Sequence, residues 1–362
     1  MNLSSKANSS TSYNGLDLFK LFCAVLIVII HIAPFGNPPH LSTGWYLNFW
    51  IQNFFCRIAA PFFFVASGFL LFKKTSYLQF DLSVIKKYVV RMLKLYLIWT
   101  VIYLPCEINI YYANKTGFLY NLIDHIRCTI LTGSYTQLWY FPALIFAVIL
   151  IAFLLSKRVK PQIIVAIAGC FYAIGLLAQS WFGLIRPLEQ SAPFLWSILK
   201  KIEFVILTTR NGLFEAFLFV AIGMIIAFSS KTLSLGKALV GFVLSFVAMY
   251  AETRFLFEHN FIRRVDMYIF LVPTVMFMFI VAIQIKLPDS PVYKTVRKLS
   301  SLIFYSHLLF EYVFSRTLPQ PNYSTLHLNP VLPATLLVTV VCSLIVIKLT
   351  DTKAFGWFKH LY

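Results

Sequence analysis

The sequence predicts an all-α integral membrane protein with about ten transmembrane helices and with both termini in the cytoplasm. Hydrophobic residues make up 59% of the 362 residues and charged residues only 12%, about half of the charged fraction of an ordinary soluble protein. Apolar runs long enough to cross a bilayer recur along the whole chain. The lysines and arginines between those runs lie mainly on one side of the predicted membrane.

Ten apolar runs are predicted to be membrane spans. They cover residues 16–34, 45–72, 88–112, 136–155, 162–182, 211–228, 238–252, 265–285, 299–316 and 331–348. The first run is expected to be retained, because it lacks a small-residue cleavage site and further apolar runs follow it. The segment 183–210 contains SAPFLWSILKKIEFVILT, which is amphipathic and carries too much charge to span. That segment is expected to lie in the interface or to re-enter the membrane.

The basic residues give the predicted orientation. With the N-terminus inside, nineteen of the 31 Lys and Arg residues fall in inner segments and ten in outer segments. The net charge of +18 would suggest nucleic acid for a soluble domain. Here it is explained by topology and by contact with anionic lipids, so membrane lipids and no nucleic acid are the expected partners.

The chain is predicted to form one membrane domain, residues 16–350, between a polar cytoplasmic N-terminus (1–15) and a cytoplasmic C-terminal tail (351–362). The gaps between runs are too short for a further domain. The sequence has no metal-ligand spacing, nucleotide-binding loop or nucleophile elbow. No metal and no tightly bound cofactor are therefore expected, which leaves acyl transfer by a membrane-embedded base, or transport.

Two ionisable residues in the first apolar run are the main functional candidates, because hydrocarbon makes such groups expensive. Lys20 and His31 are eleven positions apart, which is roughly 16 Å along a helix. His31, near the outer end, is either a general base or a packing histidine. Lys20, near the inner end, either has a functional role or extends to the lipid headgroups. Asp17 shares a helical face with Lys20 and is a candidate partner for it.

Arg91 and Lys94 lie three residues apart at the predicted cytoplasmic start of the third span. They present two cations on one helical face. Such a pair suits a phosphorylated cytosolic ligand, because arginine binds phosphate through two hydrogen bonds. The alternative is an anchor that obeys the positive-inside rule.

Other polar residues are predicted to lie within or beside later spans. Glu215 follows Arg210 at the outer mouth of the sixth span, and Arg210 or His31 would supply the partner that its carboxylate needs. His307, with Ser306 beside it, is a second intramembrane histidine, and a hydrogen bond between helices is its simplest role. The charged run 252–266 is either a solvated loop or a contact with a polar acceptor. Three glycines are predicted to allow close helix packing, namely Gly68, Gly212 and Gly223.

Several motifs together resemble the membrane acyltransferase-3 family. In GLDLFKLFCAVLIVIIH, Lys20 and His31 match the family signature of a basic residue, ten others and a histidine, and Asp17 takes its acidic position. FFFVASGFLLFKK (62–74), LWYFPALI (138–145) and YSHLLFEY (305–312) resemble later family segments. KKYVVRMLKLYLIW resembles the basic motif of the third helix, although Lys94 replaces the usual second arginine.

Within that family, TRNGLFEAFLFVAIG and DMYIFLVP are most similar to the integral-membrane half of the membrane serine racemases linked to vancomycin resistance, and to standalone Gram-positive relatives. In those racemases the membrane half precedes a soluble racemase domain and is thought to concern serine supply. The chain is therefore expected to be either a standalone protein or such a membrane half.

The resemblance implies an O-acyltransferase of the bacterial cytoplasmic membrane, with acyl-CoA, in the first place acetyl-CoA, as the cytosolic co-substrate. The acceptor would be a hydroxyl of a cell-envelope glycan or of a small molecule such as serine. Lys20, Arg91 and Lys94 would bind the donor, and His31 would be the general base. Glu215 is expected to be a second catalytic residue. Four further residues are expected to support the site, namely Asp17, Arg210, Ser306 and His307.

A transporter is the competing hypothesis, for example for serine, and homo-oligomerisation is left open. In a transporter, His31, Glu215 and His307 would bind the substrate or relay protons. Transporter folds often contain paired halves with broken helices at matching positions. The prolines of this chain do not fall at matching positions, which favours the enzyme.

Overall fold

The computed structural model describes residues 13–77, 80–113, 117–230, 233–319 and 326–362, and within them it is helical, without strands. The described residues form fourteen α-helices: α1 (Asn14–His31), α2 (Thr43–Asn53), α3 (Ala59–Phe72), α4 (Leu82–Ala113), α5 (Phe118–Leu131), α6 (Tyr140–Ser156), α7 (Pro161–Leu177), α8 (Leu188–Ser191), α9 (Pro193–Ile206), α10 (Phe217–Phe228), α11 (Leu235–Glu258), α12 (Leu271–Gln284), α13 (Val292–Thr317) and α14 (Val331–Leu349). Most of the predicted N-terminal segment, with Lys6, and also Lys115 and Lys231, lie outside the described residues.

Each of the ten predicted runs coincides with helical structure, but fewer helices are long and apolar enough to cross a membrane. Five candidates meet both conditions, and the bent pair of α7 and 182–191 would make six. The apolar helices α6 and α12 have 17 and 14 residues, short of the roughly 20 that a hydrocarbon core requires. The described part of the chain thus has the helices of a membrane protein, and the number of ten crossings stays a prediction.

The second predicted span is not one continuous helix. α2 ends at Asn53, a 3₁₀ turn covers Phe55–Ile58, and α3 begins at Ala59. A 3₁₀ turn within a helical run is often a sign of a functional position or of strain. This turn carries Arg57, which lies inside the second predicted span and was counted in neither the inner nor the outer segments.

The segment 183–210 folds as a turn followed by two short helices and not as a span, as its charge predicts. The chain bends by 72° after α7. α9 then runs for 14 residues, and none of them is buried. An amphipathic helix of this kind typically lies along a surface.

α1 packs against α3, α12 and α13. α3 and α10 approach so closely that a Cβ atom on Gly68 would overlap the carbonyl oxygen of Val220, and one on Gly223 that of Val65. Gly212 is packed against α6, where an added Cβ would lie 2.9 Å from the carbonyl oxygen of Ala143. The predicted role of the three glycines is confirmed, because only glycine allows backbones to come this near.

Gly223→Ala is expected to lower the thermal stability of the purified protein. The added methyl group must push α3 away from α10, and overpacking of a core typically costs about 1–3 kcal/mol. The matched control is Gly169→Ala on α7, where an added Cβ meets no atom within 4 Å. A thermal-unfolding assay read by size-exclusion chromatography compares the two, and equal midpoints would contradict the packing described here.

A buried polar cluster at the end of the first helix

His31, the last residue of α1, lies beside His307 on α13. The ring centroids are 5.4 Å apart and the planes are inclined by 34°. His307 is fully buried, and its Nδ1 lies 3.0 and 3.1 Å from the carbonyl oxygens of Ile303 and Phe304. Carbonyls only accept, so these contacts assign the proton to Nδ1 and leave Nε2 as an acceptor. Within the described residues that Nε2 has no hydrogen-bond partner.

Glu215 sits in a π-helical turn, Gly212–Ala216, immediately before α10. The side chain of Asn211 caps this turn by accepting hydrogen bonds from the backbone of Leu213 and Phe214. Glu215 is only 2% exposed, and its Oε2 has no hydrogen-bond partner in the described part of the chain. Such π-turns occur often at functional sites.

Arg210 does not form the ion pair with Glu215 that the sequence suggested. Its guanidinium lies 3.4 Å from Asp266 Oδ1 and 4.9 Å from the centre of the Trp139 ring. Arg210 acts on Glu215 and on His31 only through longer-range electrostatics. The suggested ion pair between Arg210 and Glu215 is therefore wrong, because Asp266, which the sequence placed in a charged loop, takes the guanidinium.

Arg57 and Asp266 complete the cluster, and sequence reasoning assigned neither to the site. Arg57 Nη1 donates to Asp266 Oδ1 at 2.7 Å, and its Nη2 donates to Asn53 Oδ1 at 2.9 Å. Its Nε is buried and has no partner in the described ranges. Arg57 also acts electrostatically on both His31 and Glu215. We call His31, His307, Glu215, Arg57, Arg210 and Asp266 the polar cluster.

The charged run 252–266 is thus only partly a solvated loop. Arg254 and Glu258 form an exposed pair at 2.8 Å, as a solvated surface predicts. Glu252, in contrast, is buried and accepts hydrogen bonds from the Trp181 indole and from the backbone of residues 269 and 270. Asp266 belongs to the polar cluster. Buried carboxylates need such partners, and which residues are buried depends on the tertiary packing.

At the other end of α1, Asp17 pairs with Arg297 of α13 and not with Lys20. Arg297 donates to both carboxylate oxygens, at 3.0 and 3.2 Å from Nε and at 2.7 Å from Nη2. Lys20 interacts with both groups only through longer-range electrostatics. The suggested Asp17–Lys20 pair is wrong, because a guanidinium from a neighbouring helix binds the carboxylate with two donors.

Lys20 and His31 lie in one uninterrupted helix, so the spacing of roughly 16 Å holds. Because residues eleven apart on a helix are nearly aligned, the two side chains lie on one side of α1. The polar cluster and the Asp17–Arg297 pair therefore mark the two ends of the same helix.

Arg91 and Lys94 are both exposed on α4. Arg91 acts electrostatically on Tyr88 and Tyr305, which lie near Tyr140. Tyr140 shares a hydrogen bond of 2.8 Å with Ser67. Three tyrosines from α4, α6 and α13 therefore line the inside of the bundle next to Arg91.

Ser306, the last of the predicted site residues, adds no group to the polar cluster. Ser306 donates to the carbonyl oxygen of Leu302 in its own helix at 2.7 Å. Among the described residues, no group of three or more His, Cys, Asp or Glu side chains is arranged to hold a metal ion.

Comparisons with known proteins give a family and a set of longer relatives. A family model described as an acyltransferase domain, acyltransferase-3, matches residues 13–348. The chain is 28% identical over 351 residues to a serine/alanine racemase of Enterococcus gallinarum, which covers 96% of this chain and 47% of that protein. It is also 28% identical over 344 residues to an amino-acid racemase of Enterococcus faecalis, at 93% and 45% coverage.

The chain spans about half the length of the curated relatives that it matches. No solved structure matches it. The similarity to the racemases therefore concerns one part of each of those proteins.

Asp266 is expected to make folding sensitive to acid. It lies in the loop between α11 and α12, where burial raises its pKa, but Arg210 and Arg57 outweigh burial and hold that pKa below the ordinary 3.8. A carboxylate with a lowered folded-state pKa stabilises the fold above its unfolded pKa, and this contribution is lost as the pH falls through the folded-state pKa.

The unfolding midpoint of the wild type should therefore drop more steeply between neutral pH and pH values below 3.8 than that of Asp266→Asn. The variant should be less stable than the wild type at neutral pH. Asp351→Asn, at an exposed aspartate, is the control and should follow the wild type. Parallel curves of the unfolding midpoint against pH for the wild type and Asp266→Asn would contradict the lowered pKa of Asp266.

Proposed function

The chain belongs to the acyltransferase-3 family, and on this basis we propose that it is a membrane-embedded acyltransferase. It moves an acyl group, acetyl in the first place, from acyl-CoA on the cytoplasmic side to a hydroxyl on the outer side. The acceptor is a cell-envelope glycan or a small hydroxyl compound such as serine. The observation that carries this proposal is the polar cluster, which combines a histidine pair with arginines in an apolar bundle.

The proposed setting is the bacterial cytoplasmic membrane, crossed ten times, with both termini in the cytoplasm. The excess of basic residues in the inner segments supports this orientation. Under it, the Asp17 end of α1 faces the cytoplasm and the polar cluster lies near the outer surface. One helix then connects the donor side with the acceptor side.

In the proposed reaction, His31 removes the proton of the acceptor hydroxyl while the hydroxyl oxygen attacks the thioester carbonyl. The carbon–sulfur bond breaks, CoA leaves as a thiolate and takes up the proton, and an ester and free CoA are formed. His307 Nε2, an acceptor without a partner in the described chain, suits a hydrogen bond from His31 that orients the base. His307 is therefore a positioning residue in this proposal.

The arginines of the polar cluster are suited to stabilise the negative oxygen of the tetrahedral intermediate. Arg57 has a buried Nε donor without a partner among the described residues, and Arg210 is held in place by Trp139 and Asp266. Preorganised donors in surroundings of low dielectric are usually the largest contribution to such catalysis. Glu215, through its unpartnered Oε2, can accept a hydrogen bond from the acceptor molecule.

On the donor side, Arg91, Lys94 and Lys20 are proposed to bind the phosphates of CoA. Arg91 is the strongest candidate, since it is exposed and also acts on the tyrosines that line the inside of the bundle. The arm of CoA that carries the thioester would follow α1 over the roughly 16 Å that separate Lys20 from His31.

His31→Ala is expected to reduce acyl transfer about 10²- to 10⁴-fold, because general base catalysis contributes that much. The assay uses protein in liposomes that contain acetyl-CoA and measures free CoA thiol after glycan fragments or L-serine are added outside. His327→Ala, at an exposed histidine, is the control and should retain the parental rate. A His31→Ala protein of unchanged thermal stability that still transfers acetyl at the parental rate would overturn the assignment.

Arg91→Ala is expected to raise the KM for acetyl-CoA about tenfold and to change kcat little, because it removes a charge-assisted contact to phosphate. The KM of Arg91→Lys should lie between those of the wild type and Arg91→Ala, since lysine keeps the charge and loses the paired donors. Lys160→Ala, at an exposed lysine before α7, is the control. A loss of kcat with an unchanged KM would place Arg91 outside the donor site.

A transport role is the second candidate, and its solute would be an amino acid such as the serine or alanine in the name of one relative. In that case the unpartnered acceptors of Glu215 and His307 would bind the ammonium group of an amino acid. The same liposomes separate the two functions. Acceptor-dependent release of CoA supports the enzyme, whereas uptake of labelled serine without any need for acetyl-CoA supports transport.

A further inference from the structure

α9 is attached to the rest of the protein by few contacts. Its Glu203 pairs with Arg263 at 2.8 Å, Phe204 lies 4.9 Å from the Arg127 guanidinium, and Trp196 lies 5.9 Å from the Phe182 ring. None of its residues is buried, although several are large and apolar. The face of α9 that carries Trp196, Leu199, Glu203 and Ile206 is therefore only half-buried.

A cavity of about 170 Å³ lies beneath that face, between α9 and the end of α7. Its walls are mainly apolar and include Ile174, Leu177, Phe182, Trp196, Leu199 and Phe214. Apolar walls give water few hydrogen-bond partners, so water is a poor occupant of such a space. A hydrocarbon chain suits it better, because it buries these walls.

The rim of the cavity is positively charged. Lys200, Arg263 and Arg264 line it together with one carboxylate, Glu203. Glu203 is engaged by Lys200 at 3.6 Å and by Arg263 at 2.8 Å. Arg264 has no ion-pair partner within 4 Å in the described ranges. The occupant should therefore carry a negative group beside its apolar part.

A buried amide beside the arginines lacks one hydrogen bond. Gln179 is 1% exposed and lines the cavity. Its Nε2 donates to Thr209 Oγ1 at 3.0 Å, while its Oε1 is buried and has no partner in the described part of the chain. The backbone N–H of Arg263 donates to the Gln179 carbonyl at 3.2 Å, which places this amide next to the cationic rim. A hydroxyl of the occupant would satisfy it.

We propose that this cavity is a binding site for an anionic phospholipid with a hydroxylated headgroup, such as phosphatidylglycerol. One acyl chain fills the space between α7 and α9, the phosphate pairs with Arg264, and a headgroup hydroxyl donates to Gln179 Oε1. The apolar walls select a lipid chain, the net positive rim selects an anionic lipid over a neutral one, and the unpartnered amide selects a hydroxylated headgroup. No residue of the polar cluster lines this cavity, and the proposal does not depend on the proposed reaction.

Trp196 in the cavity wall provides a direct test, because bromine atoms on a lipid chain quench a tryptophan that they touch. The full chain is placed in nanodiscs of phosphatidylcholine that contain a small fraction of chain-brominated phosphatidylglycerol. The Trp196 signal is the difference between the wild type and Trp196→Phe. We expect brominated phosphatidylglycerol to quench this signal more strongly than the same fraction of brominated phosphatidylcholine.

Two variants test the charge and the space separately. Arg264→Gln should reduce the preference for phosphatidylglycerol about fivefold, the factor that one basic residue contributes near an anionic lipid. Ala178→Phe should abolish the excess quenching by phosphatidylglycerol, because the larger side chain fills the cavity and leaves the charges in place. Arg254→Gln, at an exposed arginine outside the cavity, is the control and should behave like the wild type.

Equal quenching by the two brominated lipids would overturn the proposal, since it would mean that Trp196 only touches bulk lipid. An unchanged preference in Arg264→Gln would overturn the assigned phosphate contact and with it the proposal. Stronger quenching by a brominated fatty acyl-CoA than by phosphatidylglycerol would also overturn it, and would assign the cavity to the acyl chain of a donor.

Discussion

The bidentate pair between Asp17 and Arg297 fixes how α1 lies against α13, and the polar cluster depends on that register. Asp17 is 2% exposed, and a buried carboxylate without a partner would be strongly destabilising. The pair sets one end of the contact, and His31 and His307 meet at the other end. From the Asp17–Arg297 pair to the His31–His307 pair the residue numbers increase on both helices, so α1 and α13 run parallel. A shift of one helix by one turn would separate the histidines.

In the polar cluster Asp266 offsets part of the positive charge of the two arginines, and several hydrogen-bonding groups remain unused. Asp266 lies between the guanidinium groups of Arg57 and Arg210, so the arginines do not repel each other unopposed. His307 Nε2 and Glu215 Oε2 remain as acceptors, and Arg57 Nε as a donor, without partners in the described residues. Buried groups in this state are costly, and a bound hydroxyl compound, which both donates and accepts, would satisfy them.

Sequence patterns located the helices well, because hydrophobic periodicity and run length are properties of the local chain. They also selected His31, Lys20, Glu215 and Arg91, since an ionisable residue in an apolar run is conspicuous wherever it occurs. They failed for pairings. Arg297 looked like one of many topological charges, Arg57 looked like a residue left within a span, and Asp266 looked like part of a solvated loop. Their neighbours in the chain do not show that Arg297 pairs with Asp17. They also do not show that Asp266 pairs with both Arg57 and Arg210.

Apolar runs and motifs in the chain were enough to predict a helical membrane bundle of the acyltransferase-3 type, with a basic residue and a histidine at two ends of one helix. The choice of ion-pair partners, the contact of His307 with His31 and the cavity under α9 came from the packing of the helices. Apolar runs and helical spacing act over a few residues. Ion pairs and cavities instead arise from residues up to 280 positions apart, which helix packing alone brings together.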